Sequence, residues 1–430
     1  MLFTRRLLVT LLIPALFLAA QQWLLLPGLD HAHLKALLAR GANGDLSTFS
    51  VLSIGISPAL TAFIIVEWAA LLVPPWRALR RGTPAQRQSL ERAALIGTFL
   101  VAIAQSWFGA VSVTTLRGTA PLFPDTTLAR LVITVSLVAG TGVVLVLASV
   151  IDRFGLGRGF SILLVTPIVV TAVRLAKVVP LLPSGDLVWL AAEVAAVVAA
   201  ARFVLTAHRR AATTSARLRL PTSGLVPLSV ATAGLALVSK YLITVPDSGT
   251  VVHAGISTLV IIAVAVVVTR LYFPTAKLRD VWRRADPSLA TDDFALTLRA
   301  ALIKTVVFLL VVGIGFSLLA HSLHLAAVID PLLVVATTAV VLDLVAEARA
   351  RRAHGELVAV WSLHQLALLD AATTALERAA IPVHARAAHH RALLWFFGPY
   401  IPVELMVPPA RAAEARDLLA TVLLDPPFVR

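Results

Sequence analysis

The chain is 430 residues long with 59% hydrophobic residues and a mean hydropathy of +0.89, against an apolar share of about 45–50% in soluble domains. A water-soluble fold has nowhere to put that much apolar surface, so the composition specifies a membrane protein. Cysteine is absent, which excludes disulfides, thiol catalysis and cysteine-based metal sites, and the net charge of +14 is spread over loops rather than pooled as a nucleic-acid footprint would be.

Apolar segments near the ~20 residues that cross a bilayer fall at 7–26, 46–73, 93–114, 128–150, 161–181, 187–207, 224–245, 251–272, 300–320 and 328–346. The first has no small-residue cleavage site close behind it and reads as a retained span. The stretch Leu46–Leu72 is expected to be a span of unusual polarity. It carries Ser47, Thr48, Ser50, Ser53, Gly55, Ser57 and Pro58, then Thr61 and Glu67. Such residues at membrane depth imply close helix packing or a wet surface, and Pro58 is expected to cost a mid-span hydrogen bond. The glycine run Gly155–Gly159 lacks the strand and lysine of a phosphate loop and reads as a flexible turn between spans. A Pro-Ser-Gly-Asp turn makes a tight hairpin of the segments at 161–181 and 187–207.

Basic residues set the orientation. Arg5 and Arg6, then Arg77, Arg80, Arg81 and Arg87, then Arg153 and Arg158, Arg209, Arg210, Arg217 and Arg219, and Lys277, Arg279, Arg283 and Arg284 fall at one set of ends. The opposite loops carry only Lys35, Arg40 and Arg117. Both termini are expected on the cytoplasmic side. Of the charged residues inside or near spans, Glu67, Glu193, Lys240, Lys304 and Asp343, most lie close to a predicted end, where snorkelling explains them. No Walker loop or HExxH motif supports an enzyme reading, and no cofactor or metal is implied.

Beyond Arg349, Arg351, Arg352 and His354 the composition changes. Residues 356–430 read as a small soluble domain with a β-α-β-β-α order, compact and ferredoxin-like. Its His384, His389 and His390 lack ligand-like spacing and a carboxylate partner and are expected at the surface.

Residues 5–350 resemble SecY, the channel subunit of the protein-secretion translocase. The resemblance rests on RRLLVTLLIPALFLAAQQWLLLPGLD with its exit at Pro27, Gly28, Leu29 and Asp30, and on Ile54, Gly55, Ile56, Ser57 and Pro58 in the second span. SLVAGT (Ser136–Thr141) before IDRFGLGRGFSILL, and LPTSGLVPLSVATA at the seventh span, complete it. The resemblance implies an all-α polytopic membrane protein of about ten transmembrane helices, arranged as two inverted halves around a central pore, with the small α+β domain appended. By position it implies a pore ring of Ile56, Leu60, Phe160, Leu164, Val226 and Ala336, and a lateral gate including Thr61 and Gln105. Cytoplasmic docking loops would carry Arg209, Arg210, Arg217, Arg283 and Arg284. Implied partners are SecE-like and SecG-like subunits, a SecA motor or ribosome, and an unfolded polypeptide, in a bacterial inner membrane.

Two departures from the family pattern stand out. LLARGANGDLST leaves little room for the short plug helix between the first two spans, and both cytoplasmic docking loops are reduced, with DPSLATDD where the family has a Gly-Ile-Arg-Pro-Gly turn. The tail resembles a small bacterial signal-transducing domain through Ile381-Pro382 and Pro402–Val407. A divergent channel subunit is therefore expected. The competing readings are a scaffold or regulator that kept the fold, and a secondary transporter, which the missing pair of coupling carboxylates disfavours.

Overall fold

In the computed structural model the described residues are 2–30, 34, 46–81, 84–114, 122–178, 184–206, 208–210, 217–219, 251–272, 275–285, 300, 303–310, 331–394 and 401–423. The chain packs as two compact units, Met1–Thr166 and Pro167–Arg430. Among the described residues, Phe3–Trp23, Gln86–Thr114, Thr127–Phe154 and Leu187–Thr206 are long and apolar enough to cross a membrane. Ser57–Leu72 with Pro74–Arg80 forms a further pair bent by 104°. The expected span at 224–245 and most of that at 300–320 lie outside the described residues.

The first unit is built from α1 (Leu2–Trp23), α2 (Ser57–Leu72), α3 (Pro74–Arg81), α4 (Pro84–Thr114), α5 (Thr127–Phe154) and α6 (Gly159–Val165). The span expected over Leu46–Leu72 is helical only from Ser57. Residues 46–49 make one tight turn, and the chain then runs through turns to Ile56. Pro58 thus falls in the first helical turn, where an amide has no intrahelical partner, and costs no hydrogen bond. The Ser50 hydroxyl donates to the Leu24 carbonyl at 3.1 Å and accepts from the Leu52 amide at 3.1 Å, and Gln21 Nε2 donates to the Leu52 carbonyl at 3.3 Å. The turn lies so close to α5 that a Cβ on Gly140 would sit 2.0 Å from the Val51 carbonyl oxygen.

Glu67 does not snorkel. It is fully buried on α2, where the bend at Val73 returns Arg80 of α3 to within 2.8 Å of its carboxylate. Arg77 Nε donates to the Leu71 carbonyl at 2.9 Å, satisfying one of the free carbonyls at the end of α2.

The glycine run is not a flexible turn either. Leu156 is 2% exposed and its amide donates to Thr10 Oγ1 of α1 at 2.8 Å, while Arg6 reaches the Gly155 carbonyl. The Gly159 amide donates to Asp152 Oδ1 at 2.9 Å, and a Cβ on Gly159 would lie 1.9 Å from the Ala148 carbonyl oxygen. Glycine is required because α6 starts in contact with the backbone of α5.

The second unit contains α7 (Pro167–Val178), α8 (Ser184–Thr206), the strands β1 (His208–Arg210) and β2 (Arg217–Arg219), α9 (Val251–Tyr272), α10 (Thr275–Ala285) and α11 (Pro331–His354). Lys304, in the helical stretch 303–310, is buried rather than snorkelling. Its ammonium donates to the Val204 carbonyl near the end of α8 and sits 5.8 Å from the Phe203 ring. The Glu193 side chain and Lys240 lie outside the described residues.

The tail follows as β3 (Val358–Leu363), α12 (Leu369–Arg378), β4 (His384–Arg386), α13 (Ala388–Leu393), β5 (Val403–Val407) and α14 (Ala412–Leu423). The observed order is β-α-β-α-β-α, which differs from the expected β-α-β-β-α by the helix α13 between the second and third strands. The strands form an antiparallel sheet of order β3-β5-β4, with a bulge between Ala359 and Trp361. The middle strand is buried throughout. Val403, Leu405 and Val407 point into an apolar core with Leu369, Leu376, Leu419 and Val422 of α12 and α14, and Val281, Trp282 and Ala285 of α10 join it. The intervening Glu404 and Met406 therefore face the opposite side.

On that side the tail meets α11. Asp343 of α11 accepts the His389 and His390 amides, each at 2.9 Å, and lies 2.8 Å from the His389 ring Nδ1. One turn on, Glu347 is fully buried between Arg351, at 2.8 Å, and Arg386 of β4, at 3.4 Å, and Arg386 also reaches Glu404. The histidines are thus not at a free surface: His389 has a carboxylate partner and His390 is 1% exposed. No local sequence pattern marks that partner, because it lies 46 residues upstream.

Burial pushes His390 down to about 4, with Asp343 opposing the shift and Arg391 assisting it, and burial also lowers His384. A base whose folded pKa is depressed binds its proton more readily when unfolded. Its contribution is complete above about pH 6.5 and is lost as pH falls toward 4, about 3 kcal/mol for His390. Protection factors across 384–394 and 403–407, taken against the intrinsic exchange rate at each pH, should therefore fall in that window, and His390→Gln should make this pH dependence shallower; an unchanged profile would contradict the assignment. Gly159→Ala should cost about 1–3 kcal/mol through overpacking, read as a lower midpoint of thermal aggregation in detergent. Gly109→Ala, where nothing lies within 4 Å of the added methyl, should leave the midpoint unchanged or higher.

Candidate functional site

Four of the residues expected to line a pore lie in the first unit, at the start of α2 and within the short helix α6. Ile56 precedes α2, and the Leu60 amide donates to the Ile56 carbonyl at 3.1 Å, so the two side chains are one turn apart on one face. Both are half-buried. On α6, Phe160 and Leu164 have the same spacing but different environments. Phe160 is buried with its ring centroid 5.1 Å from that of Phe63 on α2, while Leu164 is half-buried. Phe160 therefore pins α6 against α2, and the apolar surface left partly open belongs to Ile56, Leu60 and Leu164.

Ala336, the candidate from the second unit, is buried on α11. Val226 lies outside the described residues. Phe63, which holds α6 in place, is not among the residues expected from sequence; a lone phenylalanine in an apolar span carries no distinguishing signal.

Thr61 and Gln105, expected at a lateral gate, meet across α2 and α4. Gln105 Nε2 donates to Thr61 Oγ1 at 3.4 Å, and that hydroxyl donates to the Ser57 carbonyl at 3.1 Å. Two polar groups are thereby satisfied without a charge, by a long and breakable bond.

Of the basic residues expected in docking loops, Arg210 and Arg217 stand opposite one another in the β1–β2 ladder, with Arg209 opposite Leu218. Arg283 and Arg284 are exposed in the last turn of α10, and Arg284 Nε donates to the Val422 carbonyl of the tail at 2.9 Å. β2 lies beside α12 of the tail. Both segments are thus placed against the tail. Among the described residues no group of His, Asp and Glu side chains could hold a metal ion.

The arrangement combines partly open apolar side chains, a neutral polar pair beside them and closely packed apolar helices. Apolar residues converging on a pore block ions by dewetting yet yield to a larger guest.

Comparison with known proteins gives the same architecture. A family model described as SecY matches residues 50–286. The chain is similar to the protein translocase subunit SecY of Vibrio cholerae serotype O1, 29% identical over 155 residues, covering 34% of this chain and 35% of that protein. It is similar to SecY of Streptomyces scabiei, 30% identical over 168 residues, 37% of this chain and 38% of that one. The aligned stretch thus spans little more than a third of these relatives' length. Three solved structures share the fold at low identity. One concerns the plug domain of SecY, with TM-score 0.52 at 13% identity, covering 81% of this chain and 92% of that one. A second is a protein-conducting channel, with TM-score 0.50 at 13% identity, covering 81% and 93%. The third is Sec61 in the canine ribosome–channel complex, with TM-score 0.53 at 12% identity, covering 81% and 93%. The family match takes in α2, the gate pair, the glycine-bearing start of α6 and α10, more than half of the chain, and the chain belongs to the SecY family.

Proposed function

We propose that this protein is a channel subunit through which polypeptides cross or enter a bacterial inner membrane, with both termini cytoplasmic and about ten spans in two inverted halves. The observation that carries the reading is the half-buried apolar set Ile56, Leu60 and Leu164 beside the neutral Gln105–Thr61 pair, inside a SecY fold. Val226 and Ala336 complete the ring in this reading. In this reading the pore is sealed by side chains more than by a plug, for which the stretch LLARGANGDLST leaves little room. The driving energy comes from outside the chain, through a SecA-like motor or a ribosome, and SecE-like and SecG-like subunits clamp the halves. The tail is a compact ferredoxin-like domain.

One observation favours a second reading, a SecY-derived scaffold or regulator. The reduced docking segments already contact the tail, through Arg284 and through β2 beside α12. Expression in a translocase-depleted cell separates the two readings: secretion restored supports the channel, and failure at high expression supports the scaffold.

If the apolar set seals the pore, Leu60→Gly combined with Leu164→Ser should raise the resting ion conductance of reconstituted protein about ten-fold, since polar and small residues end dewetting. Conductance unchanged from the parent would remove these residues from the ring. Replacing Gln105 by Leu makes the α2–α4 seam more apolar and should raise the hydrophobicity that a guest segment needs for lateral insertion. The expected shift is about one leucine, roughly 0.5 kcal/mol, in an insertion assay with graded Ala/Leu segments. No shift would show that the gate does not pass through this pair.

A further inference from the structure

The tail's sheet is held by opposite chemistries on its two faces. Its apolar face buries Trp282, Val281 and Ala285 of α10, and the joint is reinforced by Arg284 to the Val422 carbonyl and by Arg378 to the Ala285 carbonyl. Its polar face meets α11 through Asp343 with His389 and His390, and through Glu347 with Arg386. Among the described residues, that apolar core contains no side chain of α11. An apolar contact centred on a buried tryptophan is costly to separate, because separation exposes the whole ring to water. Charged and hydrogen-bonded contacts exchange for water, and interfaces within a chain that rest on them permit relative motion.

We propose that α10 and the tail form one cytoplasmic head, and that Asp343 and Glu347 are a charged latch by which the last span holds or releases that head. The two carboxylates are one helical turn apart, and Ala336 precedes Asp343 by seven residues, two turns along the same face of α11. A head that is seated or lifted therefore acts on the helix that carries the proposed ring residue about 10 Å away along its axis. Glu347 would keep Arg351 when the head lifts, so the carboxylate that loses Arg386 retains a cation within its own helix. The consequence at the pore rests on the channel reading; the latch does not.

Hydrogen–deuterium exchange on the full-length protein in lipid nanodiscs tests the latch directly. The His389 and His390 amides donate to Asp343, so in Asp343→Asn they should exchange about ten-fold faster, while α10, α12 and β5 keep the parent's rates. Glu347→Gln should accelerate β4 in the same selective way. Trp282→Ala should do the reverse, speeding α10 and α12 together. The proposal is overturned if the 389–390 rates are unchanged in Asp343→Asn, if α10 and α12 rise with them, or if Trp282→Ala frees α10 while α12 stays protected. Exchange needs no conductance, so the latch stands or falls on these rates even if the channel reading fails.

Discussion

The first unit depends on covering a stretch of backbone that is not helical. α2 runs from Ser57 to Leu72, which at about 1.5 Å per residue is shorter than the ~30 Å hydrocarbon layer. If α2 crosses that layer, the turns at 50–56 lie at membrane depth, where exposed amides and carbonyls are not tolerated in lipid. Their neighbours follow from that requirement. Ser50 and Gln21 supply hydrogen bonds, Gly140 lets α5 press against the Val51 carbonyl, and Leu25 pairs with Ser50. The same close approach recurs at Gly159, where α6 begins against α5 and brings Phe160 onto Phe63. Polar satisfaction thus places the apolar side chains of the candidate ring.

In the second unit buried charge plays the corresponding part. Asp343 and Glu347 would be costly on a lipid-facing helix, and each is instead matched by groups of the tail. The tail accordingly has two faces with different tasks. One closes an apolar core with α10, and the other neutralises the carboxylates of α11. This explains how β5 carries Glu404 among apolar residues although all five of its positions are buried.

The membrane character, the order of the early spans and the family were legible in the sequence, because hydropathy and short motifs such as Ile54–Pro58 are local properties. What failed was non-local. Pro58 looks the same at a first turn as in mid-span, and only the position of the helix start decides its cost. Asp343 near a span end has the pattern of a snorkelling residue, and nothing nearby announces His389 as its partner. The Gly155–Gly159 run has the composition of a loose turn, and its rigidity comes from Thr10, Arg6 and the backbone of α5. Thr61 and Gln105 were named as gate residues only through resemblance to the family, and their hydrogen bond to each other across 44 residues of sequence was not legible.

The proposed channel requires that a polypeptide pass the side chains of Ile56 and Leu60 at the start of α2 and of Leu164 on α6. A photoreactive amino acid placed at Leu60 or Leu164, in membranes carrying a translocation-arrested secretory chain, tests this most directly. Crosslinks to the arrested chain from both positions, absent from the exposed and proposed lipid-facing position Val135, are the predicted result. Equal labelling at all three positions, or labelling by lipid alone at Leu60 and Leu164, would contradict it.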